Sequence, residues 1–85
     1  MQIENTAHLV ASLKQGAYTD HGGYPVFYLT NEGDTLSPFW VKAHALQCAR
    51  ELRDGYSSRI VASSVNWEDH DMLCAELNSR IPSAY

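Results

Sequence analysis

Two pairs of residues in this 85-residue chain stand at a spacing that could hold a metal: His44 with Cys48, and His70 with Cys74. A separation of four puts both members of a pair on one helix face. Were two such helices to pack together, a Cys2His2 set would surround one ion, and structural zinc asks for four nitrogen or sulfur ligands in a tetrahedron. Against this, Cys48 falls among apolar neighbours and reads as core, and pairs at this spacing arise readily by chance. A fold without any cofactor is therefore the expectation, with His44, Cys48, His70 and Cys74 as the subordinate metal set. As nucleophiles the same thiols fare no better. A reactive cysteine needs a neighbouring base and an electropositive setting, whereas Glu68, Asp69 and Asp71 beside the second pair raise a thiol pKa. Paired-carboxylate hydrolysis needs a cleft that so short a chain can hardly shape. Gly22-Gly23 opens a turn and no phosphate loop, because no helix starting with Lys-Ser or Lys-Thr follows it. No catalytic residue is assigned, and the chain is not expected to be an enzyme.

What remains is recognition. Aromatic residues make up 11% of the chain, five of them tyrosines. Tyr18, Tyr24, Tyr28, Phe39, Trp40, Tyr56, Trp67 and Tyr85 cannot all lie deep in a small core, so some must be exposed. Trp, Tyr and Arg dominate the energetics of binding surfaces. Phe39, Trp40, Trp67 and Tyr85 are accordingly the aromatic candidates for contact with a partner. The single basic cluster, Arg50, Arg53 and Arg59, joins them, although arginines at a helix end also suit its dipole.

These residues need elements to position them. Thr6 can cap a short helix to about Gln15, with Leu9, Val10 and Leu13 on one side and Gly16 stopping it. Asp20 to Gly23 is a turn by composition. Tyr24 to Thr30 alternates and is rich in aromatic and branched residues, which predicts a strand, and Pro25 marks either a sheet edge or the start of the strand. Asn31-Glu32-Gly33-Asp34 turns the chain back into a short strand at Thr35 and Leu36. The best-marked element is a helix over 38–54: Ser37 caps it, Pro38 sits in its first turn and Gly55 closes it. Its apolar face carries Val41, Ala45, Cys48, Ala49 and Leu52. A strand follows from Arg59 to Val65. Asn66 or Asp69 then caps a last helix to about Ser79, striped by Leu73, Leu77 and Ile81, with Glu68, Asp69 and Asp71 at its positive end. The fold class that results is α+β: a small antiparallel three-stranded sheet with two or three packed helices, in a single domain over 1–85.

Composition limits the partners. The apolar share of 45% and charged share of 19% are those of an ordinary folded domain. A chain this short buries only about 60–65% of its unfolded surface. Ten acids against six bases give a net charge of −4, which disfavours nucleic acid, whose binding rests on clustered Lys and Arg. Two cysteines make no disulfide framework and read as buried free thiols. No basic start with an apolar run follows Met1 and no stretch reaches membrane-spanning length, so the expected location is the cytoplasm. A homodimer would let so small a core bury aromatics across a two-fold axis.

Gly22-Gly23-Tyr24-Pro25-Val26-Phe27-Tyr28-Leu29-Thr30, Gly33, and Leu36-Ser37-Pro38-Phe39-Trp40-Val41 resemble the first half of a small zinc-ribbon-like protein family of tailed phages. Val65-Asn66-Trp67-Glu68-Asp69, Leu73-Cys74-Ala75-Glu76-Leu77 and Arg80-Ile81-Pro82-Ser83-Ala84-Tyr85 resemble the second. Each half of that family carries a Cys-x-x-Cys knuckle. The matching positions here are Ser37 and Trp40, then Cys74 and Leu77, so one thiol of four is left. In the family the stretch around Cys74 is a knuckle turn. Without the ligands the reason for a knuckle is gone, and the apolar spacing of Leu73, Leu77 and Ile81 favours a helix instead. Trp40, at a former ligand position, would fill the volume of the missing metal or anchor an interface. The resemblance implies a phage or mobile-element protein in the host cytoplasm. The expected function is stoichiometric binding to a host protein or defence complex, as an inhibitor of the anti-CRISPR type. The alternative is a nucleic-acid-binding relic of a zinc ribbon.

Overall fold

The computed structural model describes residues 1–17 and 23–85. Tyr18 and most of the turn expected at Asp20–Gly23 lie outside the described residues. In chain order the elements are α1 (Thr6–Gln15), β1 (Val26–Thr30), β2 (Thr35–Leu36), α2 (Pro38–Ala43), α3 (Ala45–Asp54) and β3 (Ile60–Val65). The strands form one antiparallel sheet in the order β2-β1-β3. The expected α+β fold is the fold observed.

Local chemistry explains most of these elements. The α1 cap falls one residue earlier than expected: Asn5 Oδ1, not the Thr6 hydroxyl, accepts from the His8 N–H at 3.0 Å. Leu9 is buried and Leu13 packs against the core as expected, whereas Val10 is exposed and Ser12 is buried in addition. Ser12 Oγ donates to the Leu9 carbonyl at 2.8 Å and lies 2.9 Å from Tyr28 Oη. With the serine proton committed, the Tyr28 hydroxyl donates to Ser12, so a buried tyrosine has its polar end satisfied. Along β1 Val26, Tyr28 and Thr30 are buried while Phe27 and Leu29 are half-buried. Pro25 marks the start of this strand and no sheet edge, because β1 is the central strand. Gly33, at φ 91°, supplies the left-handed step of the turn before β2.

The single helix expected over 38–54 is two. Ser37 does cap α2, accepting from the Phe39 N–H at 3.2 Å with Pro38 in the first turn. His44 then leaves helical geometry at φ −117°, ψ 32°. Its N–H is shared between the carbonyls of Trp40 and Val41 at 3.0 and 3.2 Å, and its Nδ1–H donates to Trp40 O at 2.9 Å. The imidazole thus adds a second bond to the carbonyl that already accepts the His44 N–H, and its ring stacks on Trp40 with centroids 4.3 Å apart. Val41 and Cys48 are buried on either side of the break. Apolar spacing therefore passes through it unchanged. Gly55 ends α3 in the left-handed region, as expected.

The larger correction concerns 66–79, where no helix forms. Asp69 N–H is capped by Asn66 Oδ1 at 3.2 Å, and Asp69 Oδ1 caps the Asp71 N–H at 3.1 Å. These are the same i+3 and i+2 bonds that cap α1 and α2; what takes the place of a helix after them is the non-local pairing of the backbone. The chain then reverses at Cys74. Cys74 N donates to Ser79 O and Asn78 N to Cys74 O, both at 2.8 Å, and Leu73 bridges Arg80. Asn78 takes the left-handed conformation at φ 53°. Of the expected stripe, Leu73 and Leu77 are about half exposed and only Ile81 is buried. A turn, and no helix, stands at Cys74.

Both sheet edges are covered. Residues 1–3 run along β3, with Met1 N to Ser63 O at 2.7 Å, Ser63 N to Met1 O at 2.8 Å and Ile3 N to Val61 O at 2.9 Å. At the other edge Thr35 O accepts from Ala75 N at 3.0 Å, and Thr35 Oγ1 donates to Leu73 O at 2.7 Å. Paired edges resist strand addition by other chains. The core draws Leu9, Tyr28, Val41, Cys48 and Ile60 from the regular elements, and Ile3, Cys74 and Ile81 from these covering segments. No helix among the described residues is long and apolar enough to cross a membrane.

Candidate functional site

Asn66 assembles the most distinctive surface of the molecule. Its side chain is buried, and Nδ2 donates to three carbonyls: Asp69 at 3.1 Å, Ile81 at 3.4 Å and Pro82 at 3.0 Å. Its main chain bonds in two directions, N–H to Pro25 O at 2.9 Å and O from Ala84 N at 2.8 Å. Next along, Trp67 O accepts from Tyr85 N at 2.9 Å. Each of these contacts lies at or beside an aromatic residue: Tyr24 precedes Pro25, Trp67 follows Asn66, and Tyr85 follows Ala84. The backbone bonds thereby gather three rings from distant parts of the sequence. Tyr24 and Trp67 have centroids 4.7 Å apart and planes tilted by 54°. Trp67 and Tyr85 are 6.5 Å apart, with planes only 20° from parallel. Trp67 is 48% exposed and Tyr85 72%, so this is surface and not core.

The last residues are pinned a second time. Ser83 Oγ donates to Tyr85 O at 2.7 Å and lies 3.0 Å from His70 Nδ1, which leaves the imidazole N–H to donate to Ser83. Acid follows Trp67 in sequence. Glu68, Asp69 and Asp71 are all exposed. An Arg80 nitrogen stands 4.0 Å from Asp71 Oδ1, with the two side chains 74% and 92% exposed. A pair so open to water holds weakly.

The other candidates are dispersed. Phe39 is exposed on α2, and Trp40 is half-buried against the core and stacked on His44, so Trp40 serves mainly as packing. Phe39 lines a cleft of about 100 Å³ with Leu13, Gly16, Ala17, Pro38 and Lys42. That is well below the ~300 Å³ at which small-molecule sites begin. The three arginines do not form an open basic patch. Arg53 is paired with Asp54 at 3.0 and 3.3 Å and Arg59 donates to Tyr56 O at 3.0 Å, whereas the exposed Arg50 side chain makes no such bond among the described residues. The Arg53 hydrogen bond holds the Asp54 carboxyl below its usual range.

The metal set does not assemble. His70 and Cys74 share no helix, His70 faces Ser83, and His44 is tied to Trp40 O. Among the described residues no three of His, Cys, Asp and Glu come together in a way that could hold an ion. Ser37 and Cys74 are buried, Trp40 is half-buried and Leu77 is 50% exposed. Both thiols are free and buried, as expected. Burial first, and then the charge of Glu51, push the Cys48 thiol up to about 11, which keeps it protonated and unreactive at neutral pH. Burial also raises the Tyr28 hydroxyl. The sign follows: the folded state holds both protons more tightly than the unfolded chain, and for Cys48 the contribution is complete below about pH 9 and is lost as pH rises toward about 11. Unfolding midpoints should accordingly fall between these pH values, by on the order of 2–3 kcal/mol from Cys48. Cys48→Ala should show a shallower alkaline decline, read by urea titration.

Sequence reasoning named Trp67 and Tyr85 but missed Tyr24 as their neighbour and Asn66 as the residue that joins them. A polar residue flanked by Val65 and Trp67 was the available signal, since a buried amide needs partners. Comparison with protein-family models, with curated proteins and with solved structures finds no match for this chain.

Proposed function

We propose that this protein works by stoichiometric protein binding, with the Tyr24–Trp67–Tyr85 surface as its contact. One observation carries the reading: two large aromatic rings, Trp67 and Tyr85, are held in water by a buried polar network. Ordering exposed aromatics in this way lowers the entropy that association would otherwise cost. Tyr and Trp suit such a role because they bury large area at few rotatable bonds. The phage resemblance supplies the setting, a host cytoplasm, and the class of partner, a bacterial defence complex. The protein is then an anti-defence inhibitor of the anti-CRISPR type, with no catalytic step. A nucleic-acid reading would need the arginines, and Arg53 and Arg59 are already engaged within the chain.

The test is retention of a purified defence complex on immobilised protein, alongside phage survival in a host carrying that system. The expected result is capture and protection by the parent, with at least about a tenfold loss of affinity in Trp67→Ala, the size of a binding hot spot. Phe39→Ala should change binding by less than about threefold, as a residue outside the contact. If no defence complex is retained and no phage is protected, the reading fails.

A further inference from the structure

We propose that the Tyr24–Trp67–Tyr85 surface recognises an arginine side chain carried on a basic segment of its protein partner. The inference rests on the binding reading above and adds the chemistry of the occupant. A cation engages an aromatic ring when it lies within about 6 Å of the centroid. With Trp67 and Tyr85 centroids 6.5 Å apart, one cation can satisfy both rings at once. Their planes are only 20° from parallel, which favours a flat group laid along them. Guanidinium is flat, stacks on aromatic faces and sheds water more easily than ammonium. Charge complementarity points the same way. Between Asn66 and Tyr85 the chain carries four acids, Glu68, Asp69, Asp71 and Glu76, against the single base Arg80. The carboxylates of Glu68, next to Trp67 in sequence, and Asp71, on the same short segment, are exposed and can accept the paired N–H donors of a guanidinium. Arg80 already sets its own guanidinium near Asp71, at 4.0 Å and open to solvent. It is a weak internal competitor that an incoming arginine displaces.

The experiment uses the full chain carrying Trp40→Phe, so that Trp67 is its one indole, and follows its fluorescence. The probe is a short Gly-Arg repeat peptide, compared with the same peptide carrying lysine or the neutral isostere citrulline. The expected result is a saturable change with the arginine peptide, weaker by about threefold or more with lysine, and absent with citrulline. Glu68→Gln with Asp71→Asn should weaken binding by about fivefold at low salt, and the difference should shrink as salt screens the charges. Glu32→Gln with Asp34→Asn, at the opposite end of β1, should leave binding unchanged, which separates recognition from general acidity. Arg80→Gln should strengthen binding by about twofold, the weight of an exposed ion pair.

Equal binding of citrulline and arginine, or no response of Trp67 to any peptide, overturns the inference. So does a homodimer that dissociates in Trp67→Ala, since a second copy would then occupy the surface. The two proposals fail separately. A defence complex captured through Trp67 but indifferent to salt and to the Glu68/Asp71 changes leaves the binding reading standing and removes arginine recognition. Arginine-specific binding with no defence complex retained supports this surface and removes the anti-defence role.

Discussion

Asn66→Asp should lower stability by about 3 kcal/mol or more, enough to threaten a fold whose total is on the order of 5–15 kcal/mol. The substitution changes almost no volume. It replaces the Nδ2 donor, which serves the carbonyls of Asp69, Ile81 and Pro82, with an acceptor facing the same three oxygens. At neutral pH it also buries an uncompensated charge at a residue only 2% exposed. The pH dependence identifies the cause. A carboxyl buried among carbonyls has its folded pKa raised above the unfolded value of about 3.9. Its penalty is therefore least below that pH and grows as pH rises through the folded pKa. The variant should gain stability relative to the parent on acidification, in urea titrations followed by circular dichroism. A deficit independent of pH would show that the amide network is not what holds the C-terminal segment.

Ile81→Ala should cost about 2–4 kcal/mol, the usual range for emptying a buried aliphatic site. Ile81 is 2% exposed in the common core, its N–H bonds to Met72 O at 2.8 Å, and its carbonyl receives Asn66 Nδ2. One residue thus carries the apolar and part of the polar attachment of the same segment. Its loss should not add simply to that of Asn66. A double-mutant cycle with Asn66→Ala should show a coupling of about 0.5–3 kcal/mol, as for neighbours within one network. Strict additivity would mean that the two residues secure different parts of the fold.

The sequence was readable where its signals were local. Gly16 after Gln15, the Asn31–Asp34 turn, Ser37-Pro38 and Gly55 each act within a few residues, and α1, β1, β2 and the ends of the α2–α3 pair fall where those signals put them. The break at His44 was hidden because Val41 and Cys48 keep helical spacing across it, and the imidazole that stabilises the break gives no periodic signature. The failure after Asn66 had a different cause. Leu73, Leu77 and Ile81 have the spacing of a helix stripe, yet Thr35 and Met72 draw the backbone into non-local pairing instead. The aromatic surface was legible as a list of residues and not as a place. What joins Tyr24, Trp67 and Tyr85 is a set of main-chain bonds from Asn66 and Trp67 to Pro25, Ala84 and Tyr85, and no spacing reports such bonds.

The edge pairing of residues 1–3 has a consequence for the order of events when the chain is made. Met1 meets Ser63 across 62 positions of sequence. Its partner strand comes much later in the chain, so residues 1–3 cannot pair until β3 has been synthesised. Closing so long a loop forfeits entropy before any contact rewards it, and such pairings form late and slowly. During that interval the β3 edge that Met1–Ile3 will cover stays open to other strands. The nascent chain is most vulnerable to misassociation in the moment between the emergence of β3 and its pairing with residues 1–3.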